Sequence, residues 1–263
     1  MKAGSKFADV PIRVRSWIYI IDIFAIGLLH PFLTALLFTM LSAQGIREYL
    51  QLKKTGNKLF VFIPLLLLEF FCAYTNQYGL FIGAIVCYCL AIYIFNQRST
   101  AFLSAIIVNV IALGQLPFIV HLTGSGNLWE SIAPLLFLVL LTEFNDVFQY
   151  LTGKTFGKHK AFPSISPNKT REGCIGGFLL TTLLGIGLGK LLLPEFNLWV
   201  HAGLGMLISL LGLAGDLFIS YQKRLAGVKD TGTLIPGHGG LLDRMDSLIF
   251  IAPAYYWILR FML

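Results

Sequence analysis

Polar positions are the exception along this chain. Apolar runs, most of them near the 20 residues that cross a bilayer, alternate with short polar breaks. Their spacing predicts nine spans, at roughly 17–29, 32–50, 59–75, 78–95, 100–122, 129–151, 172–193, 198–219 and 247–262. In hydrocarbon each backbone N–H and C=O must be satisfied within its own segment, so each run is expected to be a helix. The fold class that follows is all-α, a polytopic integral membrane protein with a polar cavity facing the cytoplasm. The first two runs are the weakest. Run 17–29 is short, and only His30 and Pro31 part it from the next. One long helix is the alternative there, but Pro31 would interrupt it.

Charge settles the count. With nine spans, all but Lys190 and Arg260 of the 20 Lys and Arg residues fall on one side, which is therefore expected to be cytoplasmic. Merging the first two runs would strand the basic N-terminus on the other side. The localisation expected is the cytoplasmic (inner) membrane, with N-terminus and active site cytoplasmic. The stretch "MKAGSKFADVPIRVRS" is polar and basic with no small-residue cleavage site after the first run, so no cleaved signal peptide is expected.

Composition agrees. The 263 residues are 56% hydrophobic and 13% charged, about half the charge of a soluble domain. A net charge of +7 would suggest nucleic acid in a soluble protein. Here it fits topology or an anionic substrate, and no nucleic-acid partner is expected. Cys72, Cys87, Cys89 and Cys174 lie in apolar runs without a C-x-x-C pattern and are expected to be small buried hydrophobes. The chain is expected to form one membrane domain over 1–263, with the chemistry in 141–263 and less specific helices in 1–140.

Acidic residues are few. Asp22, Glu69, Glu143, Asp146 and Asp216 lie in or at the ends of apolar runs, where a carboxylate is costly and commonly functional. Asp22 and Glu69 lack polar company and read as satisfied structural acids. Asp146, in "EFNDVFQY", and Asp216, in "GLAGDLFIS", sit near the cytoplasmic end of their spans and read as functional.

Two longer polar breaks remain, 152–171 and 220–246. In the second, Lys223, Arg224 and Lys229 suit phosphate oxygens. Gly237, Gly239 and Gly240 flank His238 and would let backbone N–H groups approach an anion. Asp243 and Asp246 follow three residues apart, and a helix beginning near Leu241 would place both on one face. Paired carboxylates beside a phosphate-binding loop suit Mg²⁺. Each residue alone has a plainer reading, topogenic charge or a helix N-terminal acid; the combination is harder to dismiss. Break 152–171 supplies Lys154, Lys158, His159, Lys160 and Lys169 with Gly and Ser donors. Its "GKT" is not a phosphate-binding P-loop, because Phe148 stands where that pattern needs glycine.

The run Ser220, Lys223, Arg224, Lys229, Asp230, Gly232, Pro236, His238, Gly239, Gly240, Asp243, Arg244, Asp246 resembles the signature of the phosphatidate cytidylyltransferases, or CDP-diacylglycerol synthases. "GDL" at 215–217, "FGKHK", and "SPNKT" followed by Glu172 and Gly173 are similar to that family too. The resemblance covers roughly the C-terminal half. It implies transfer of CMP from CTP to phosphatidate, giving CDP-diacylglycerol and pyrophosphate. It also implies Mg²⁺ with a monovalent cation, K⁺, beside it, and a homodimer. Asp216 and Asp243 would bind metal, with Asp246 supporting them or holding the second cation. Lys223, Arg224 and Lys229 would contact phosphates, with Asp230 orienting a lysine or binding ribose. His238 would donate to a phosphate, and Gly239 and Gly240 would allow close backbone approach. Lys169, Ser166 and Asn168 would cover the nucleotide or lipid phosphate from the other loop. Asp146, Lys158 and Arg244 complete the expected substrate-binding set.

Departures from the family pattern mark a divergent sub-branch. Ile219 stands where an acid is usual, Gln149-Tyr150 replaces an Ala-Tyr pair, Arg171 replaces a Trp, and Gln222 takes an often apolar place. Rival readings are a cytidylyltransferase for another lipid phosphate, a CTP-dependent polyprenol kinase, an anionic-solute transporter, and an inactive scaffold.

Overall fold

The computed structural model describes residues 10–56, 58–95, 100–124, 126–234 and 239–263. Helical segments fall on each of the nine predicted places. They are α1 (Val10–Gly27), α2 (Pro31–Leu52), α3 (Ile63–Tyr74) with a 3₁₀ turn before it, α4 (Tyr78–Phe95), the α5–α6 segment, α7 (Leu128–Phe156), α8 (Arg171–Leu192), α9 (Leu198–Ala226) and α11 (Leu248–Met262). The α5–α6 segment runs α5 (Thr100–Ala105), a π-helical stretch Ile106–Ile111, then α6 (Leu116–Ile119). Among the described residues, five of these segments are both long and apolar enough to cross a membrane: α4, α5–α6, α7, α8 and α9. Shorter apolar helices accompany them, and the protein is a polytopic membrane protein.

Local chemistry sets the ends. Pro31 opens α2, where a missing N–H costs nothing, and the ring Nδ1 of His30 accepts the Phe32 N–H at 3.2 Å. The break between the first two runs is thus real. The Thr34 hydroxyl spans it by donating to the Gly27 carbonyl at 2.8 Å. Asn127 and Asn197 cap α7 and α9 in the same way, each accepting from the tryptophan N–H two residues on at 3.0 Å. Helix α9 ends at Gly227, whose φ of 75° is the left-handed C-terminal position that favours glycine.

At about 1.5 Å per residue, the 29-residue helices α7 and α9 outreach a hydrocarbon core of about 30 Å. They therefore extend beyond the predicted spans 129–151 and 198–219, and carry polar turns out of the bilayer at one end. Between α7 and α8 the chain is not simply a loop. Strands β1 (Lys160–Phe162) and β2 (Ser166–Thr170) pair antiparallel, Lys160 opposite Thr170 and Phe162 opposite Ser166. The single helix expected from Leu241 is broken. A short helix α10 (Leu242–Met245) precedes α11, and Asp246 and Ser247 form the joint. The expected division near residue 140 falls inside α7.

Helices α7, α8 and α9 approach through glycine. A Cβ on Gly176 would lie 2.6 Å from Thr152 of α7, and one on Gly205 would lie 2.9 Å from the Thr182 Cα of α8. In lipid, where apolar side chains gain nothing by leaving solvent, such close approach is what holds spans together. A Cβ on Gly215 of α9 would strike the Asp246 carbonyl. This contact seats the α10–α11 joint directly against the residue before Asp216.

Candidate active site

The polar ends of α7, α9 and α10 and the β-hairpin meet on one end of the bundle. Two ion pairs organise them. Lys169 of β2 reaches Asp216 of α9, Nζ to Oδ2 at 2.6 Å, and also donates to the Gln149 amide oxygen of α7 at 2.9 Å. The Ser220 hydroxyl donates to the other Asp216 oxygen at 3.2 Å. Lys223 donates to Asp243 Oδ1 at 2.7 Å. The first pair is semi-accessible, its side chains 17% and 22% exposed; the second is nearly enclosed, at 10% and 6%.

Both oxygens of Asp243 are engaged, Oδ1 by Lys223 and Oδ2 by three donors. Its Oδ2 takes the Thr231 N–H at 2.8 Å, the Thr231 hydroxyl at 3.0 Å and the Gly240 N–H at 2.9 Å. Burial alone would raise this carboxyl. The hydrogen bond and charge of Lys223, with the two amides, outweigh burial and hold it below the usual carboxylate range. Burial likewise would lower Lys169, but the charge and hydrogen bond of Asp216, and Asp146 behind it, keep it above its ordinary value.

Asp246 is buried, its Oδ1 accepting the Ser247 N–H at 2.8 Å. Burial, then the charges of Asp216 and Asp146, push its carboxyl well above the ordinary range against the pull of Lys223. Asp146, Asp216 and Asp246 are thus within electrostatic reach of one another, with Lys169, Lys223 and Arg244 as nearby cations. Asp243 lies in α10 and Asp246 at the joint that follows, where the backbone keeps helical dihedrals, so the two stay three residues apart on a helical path, with Lys223 bonded to the first and acting on the second.

The remaining expected residues sort by place. Exposed Arg224 donates from Nε to the Ile165 carbonyl at 3.2 Å, fastening α9 to the hairpin turn. Ser166 is half-buried on β2, and Asn168 is exposed. Lys158, Lys229, Asp230 and Arg244 are exposed. His238, with Pro236 and Gly237, lies outside the described residues. Gly239 has φ 90°, the left-handed region, and a Cβ there would come within 2.7 Å of Asp243 Oδ2. A Cβ on Gly240 would collide with the Thr231 hydroxyl and the Glu48 carboxylate. The close approach these glycines permit is to the carboxylates under the loop. Of the acids read as structural, Asp22 is exposed and Glu69 is buried with Oε1 accepting the Ser42 hydroxyl at 2.8 Å.

Three side chains that frame the site were given no role by the sequence. Asn145, fully buried, accepts the hydroxyls of Thr181 at 3.1 Å and Ser209 at 2.7 Å, tying α7 to α8 and α9 directly beside Asp146. Glu172 holds the start of the hairpin, accepting the Lys158 and His159 N–H groups and pairing with the His159 ring at 2.6 Å. Glu48, at the end of α2, binds the glycine loop. It meets the same criterion that picked out Asp146, an acid near the end of an apolar run, and was findable on that signal.

Among the described residues no three His, Cys, Asp or Glu side chains form a ready-made metal group. What the site does offer is a convergence of carboxylates and lysines at the edge of a membrane bundle. A basic, glycine-lined loop and a hairpin bracket it. That arrangement gathers charged and hydrogen-bonding groups at one end of the helical bundle of a membrane protein.

The comparisons place it further. The pattern of the cytidylyltransferase family matches residues 11–262, and the chain belongs to that family. It is 35% identical to the Escherichia coli K12 protein called "Uncharacterized protein YnbB" over 97% of this chain and 89% of that one. It is 43% identical to the phosphatidate cytidylyltransferase of Staphylococcus aureus strain COL over 47% of this chain and 48% of that one. The Staphylococcus epidermidis enzyme of the same name is 41% identical over the same shares. The chain therefore spans about half the length of these staphylococcal relatives.

Proposed function

We propose that the protein is a CTP:phosphatidate cytidylyltransferase acting at the cytoplasmic face of the inner membrane. The observation that carries this reading is the pairing of Lys169 with Asp216 beside Asp146 and Asp246, under a loop of glycines and bases. The lipid's acyl chains stay in the bilayer while its phosphate meets CTP where α7 and α9 emerge. An oxygen of that phosphate attacks the α-phosphorus of CTP. The bond from the α-phosphorus to the bridging oxygen breaks, and pyrophosphate leaves with the electron pair. A phosphate monoester, with a second pKa of about 6, is already a nucleophile at neutral pH, so no strong general base is needed.

Lys169 and Arg244 offset the charge brought together when two anions meet, and exposed Lys229 and Lys158 receive the phosphates first. Mg²⁺ fits the donor set. It takes one or two carboxylates plus substrate phosphates, and Asp216 and Asp246, within electrostatic reach of each other, supply two. Asp216 and Asp246 would hold it, K⁺ being the companion cation. Asp243 would join only on releasing Lys223, since both its oxygens are committed. Bound there, the metal would neutralise developing charge on the transferred and departing phosphates. The functional unit in this reading is a homodimer.

One observation favours a second acceptor. Similarity runs almost end to end with the YnbB protein but covers only half of the phosphatidate cytidylyltransferases. Cytidylyl transfer to another lipid phosphate is the second reading. Purified protein in vesicles, given α-labelled CTP, Mg²⁺ and a panel of lipid phosphates, separates them. Label entering the phosphatidate product with release of pyrophosphate supports the first reading. Label entering only another lipid supports the second. Release of CDP points to a kinase and overturns both.

A further inference from the structure

Glu48 is 2% exposed, yet its carboxylate is fully engaged. Oε1 accepts the Leu241 N–H at 2.9 Å and the Gln44 amide at 2.8 Å. Oε2 accepts the Leu242 N–H at 2.9 Å and the Thr231 hydroxyl at 3.1 Å. Apart from Gln44, on its own helix, every partner belongs to the loop that carries Asp243. The Thr231 hydroxyl lies between two carboxylates, 3.1 Å from Glu48 and 3.0 Å from Asp243, and has one proton to share. Gly232 and Gly240 come so near that a Cβ on either would press on the Glu48 carboxylate.

A buried carboxylate is expensive and persists where its oxygens are fully used. This one does not join one span to another. It joins α2, in the half of the chain that carries none of the signature residues, to both ends of the stretch 231–242. We infer that Glu48 is a positioning residue for the proposed transfer reaction. By holding the Leu241 and Leu242 amides and the Thr231 hydroxyl, it fixes the loop so that Asp243 keeps Lys223 beside Asp246 and Asp216. A residue that merely stabilised the fold would fail together with the helices. One that positions the loop should release that segment alone, because its partners are the Thr231 hydroxyl and the amides at the start of α10, and local opening is governed by local contacts.

The test uses the full chain in nanodiscs, comparing wild type with Glu48→Gln and, independently, Thr231→Val, which cuts the same bridge without removing a charge. Amide exchange across 229–246 is read beside thermal unfolding, and kcat and KM for CTP are measured with a lipid phosphate acceptor. Stranding a buried donor costs enough to accelerate exchange in this segment by about tenfold, and kcat/KM is expected to fall by a similar factor. The unfolding midpoint and exchange elsewhere should be nearly unchanged. Unaltered exchange across 229–246 in both variants, or acceleration spread evenly over all helices, would overturn the inference. It rests on the cytidylyl-transfer reading, but the exchange arm needs no substrate. A wild type inactive on every lipid phosphate would defeat that reading and leave exchange alone to decide whether Glu48 anchors the loop.

Discussion

The two halves of this bundle are held together differently. From α1 to α6 the interior is filled with large rings. Phe62 packs edge-on to Phe102 at 5.6 Å, and Tyr78 packs edge-on to Phe118 at 5.2 Å and stacks on Tyr256 at 4.4 Å. The segments there are irregular, with a 3₁₀ turn at Leu59–Phe62 and a π-helical stretch at Ile106–Ile111. From α7 to α9 the helices are long and close, with glycine where the other half has rings. Rings fill whatever gap the backbones leave, so they tolerate irregular helices. Glycine contacts require backbones in fixed register, and fixed register is what holds Asp146 and Asp216 in place. The precise half carries the charges, and the adaptable half meets it directly where Lys53 at the end of α2 donates to Gln222 of α9 at 2.6 Å, and indirectly through Glu48 and the Tyr78–Tyr256 stack.

The sharpest way to test that division is to remove a charge without disturbing the packing. Asp216→Asn keeps the shape and an acceptor for Lys169 but loses the carboxylate. Turnover should fall by about 10⁴-fold, while the protein still purifies folded, its midpoint lowered only by the loss of the partly exposed pair with Lys169. Near-normal turnover would remove Asp216 from the chemistry. Lys223→Met acts on stability instead. It leaves Asp243 buried, 6% exposed, without its cation, and breaking such a pair costs about 3 kcal/mol. Three other donors to Asp243 remain, so the loss should register in the unfolding midpoint with the bundle still folded. An unchanged midpoint would show that Thr231 and Gly240 suffice.

What could be read from the sequence divides along the same line. The spans were legible because hydrocarbon admits only internally bonded helices, and the His30-Pro31 break because proline has no N–H to give. Asp216 and Lys169 were legible because charge at a membrane edge must be used. Their mutual pairing was not, since it depends on the hairpin, and five-residue "SPNKT" carries no strand periodicity. The helix break at Asp246 was hidden for a related reason. The joint packs against α9 where Gly215 leaves room for the Asp246 carbonyl, and a contact between residues on two helices leaves no local mark. Glu48 had a local mark, but its partners are backbone N–H groups, which sequence does not display.

The packing contrast itself can be tested on two glycines. Gly205 faces the backbone of α8, while Gly83 on α4 is exposed, with open space where a Cβ would go. Gly205→Leu should destabilise by about 1–3 kcal/mol through overpacking and lower activity as the register of α8 shifts. Gly83→Leu should leave the unfolding midpoint and activity alone. Equal effects would mean the close packing of α7–α9 is not special. A deficit only at Gly205 would tie register to turnover.

The smallest expected effect is the pH dependence of the two ion pairs, and its sign differs between them. Asp243 is held below its ordinary value. Its contribution to stability is fully present above the unfolded carboxylate value of about 3.9 and disappears as pH falls through the lower folded value. Lys169 is held above its ordinary value. Its contribution is fully present below the unfolded value of about 10.4 and disappears as pH rises through the higher folded one. Asp243→Asn and Lys169→Met should therefore each lower the midpoint relative to wild type at neutral pH, where both contributions are present. The Asp243 difference should shrink only in acid, the Lys169 difference only in strong base. A change between about pH 6 and pH 8, where neither group titrates, would report the raised carboxyl of Asp246 beside them; an Asp243 difference that does not shrink in acid, or a Lys169 difference that does not shrink in strong base, removes that pair from the frame on which the transfer reaction is proposed to run.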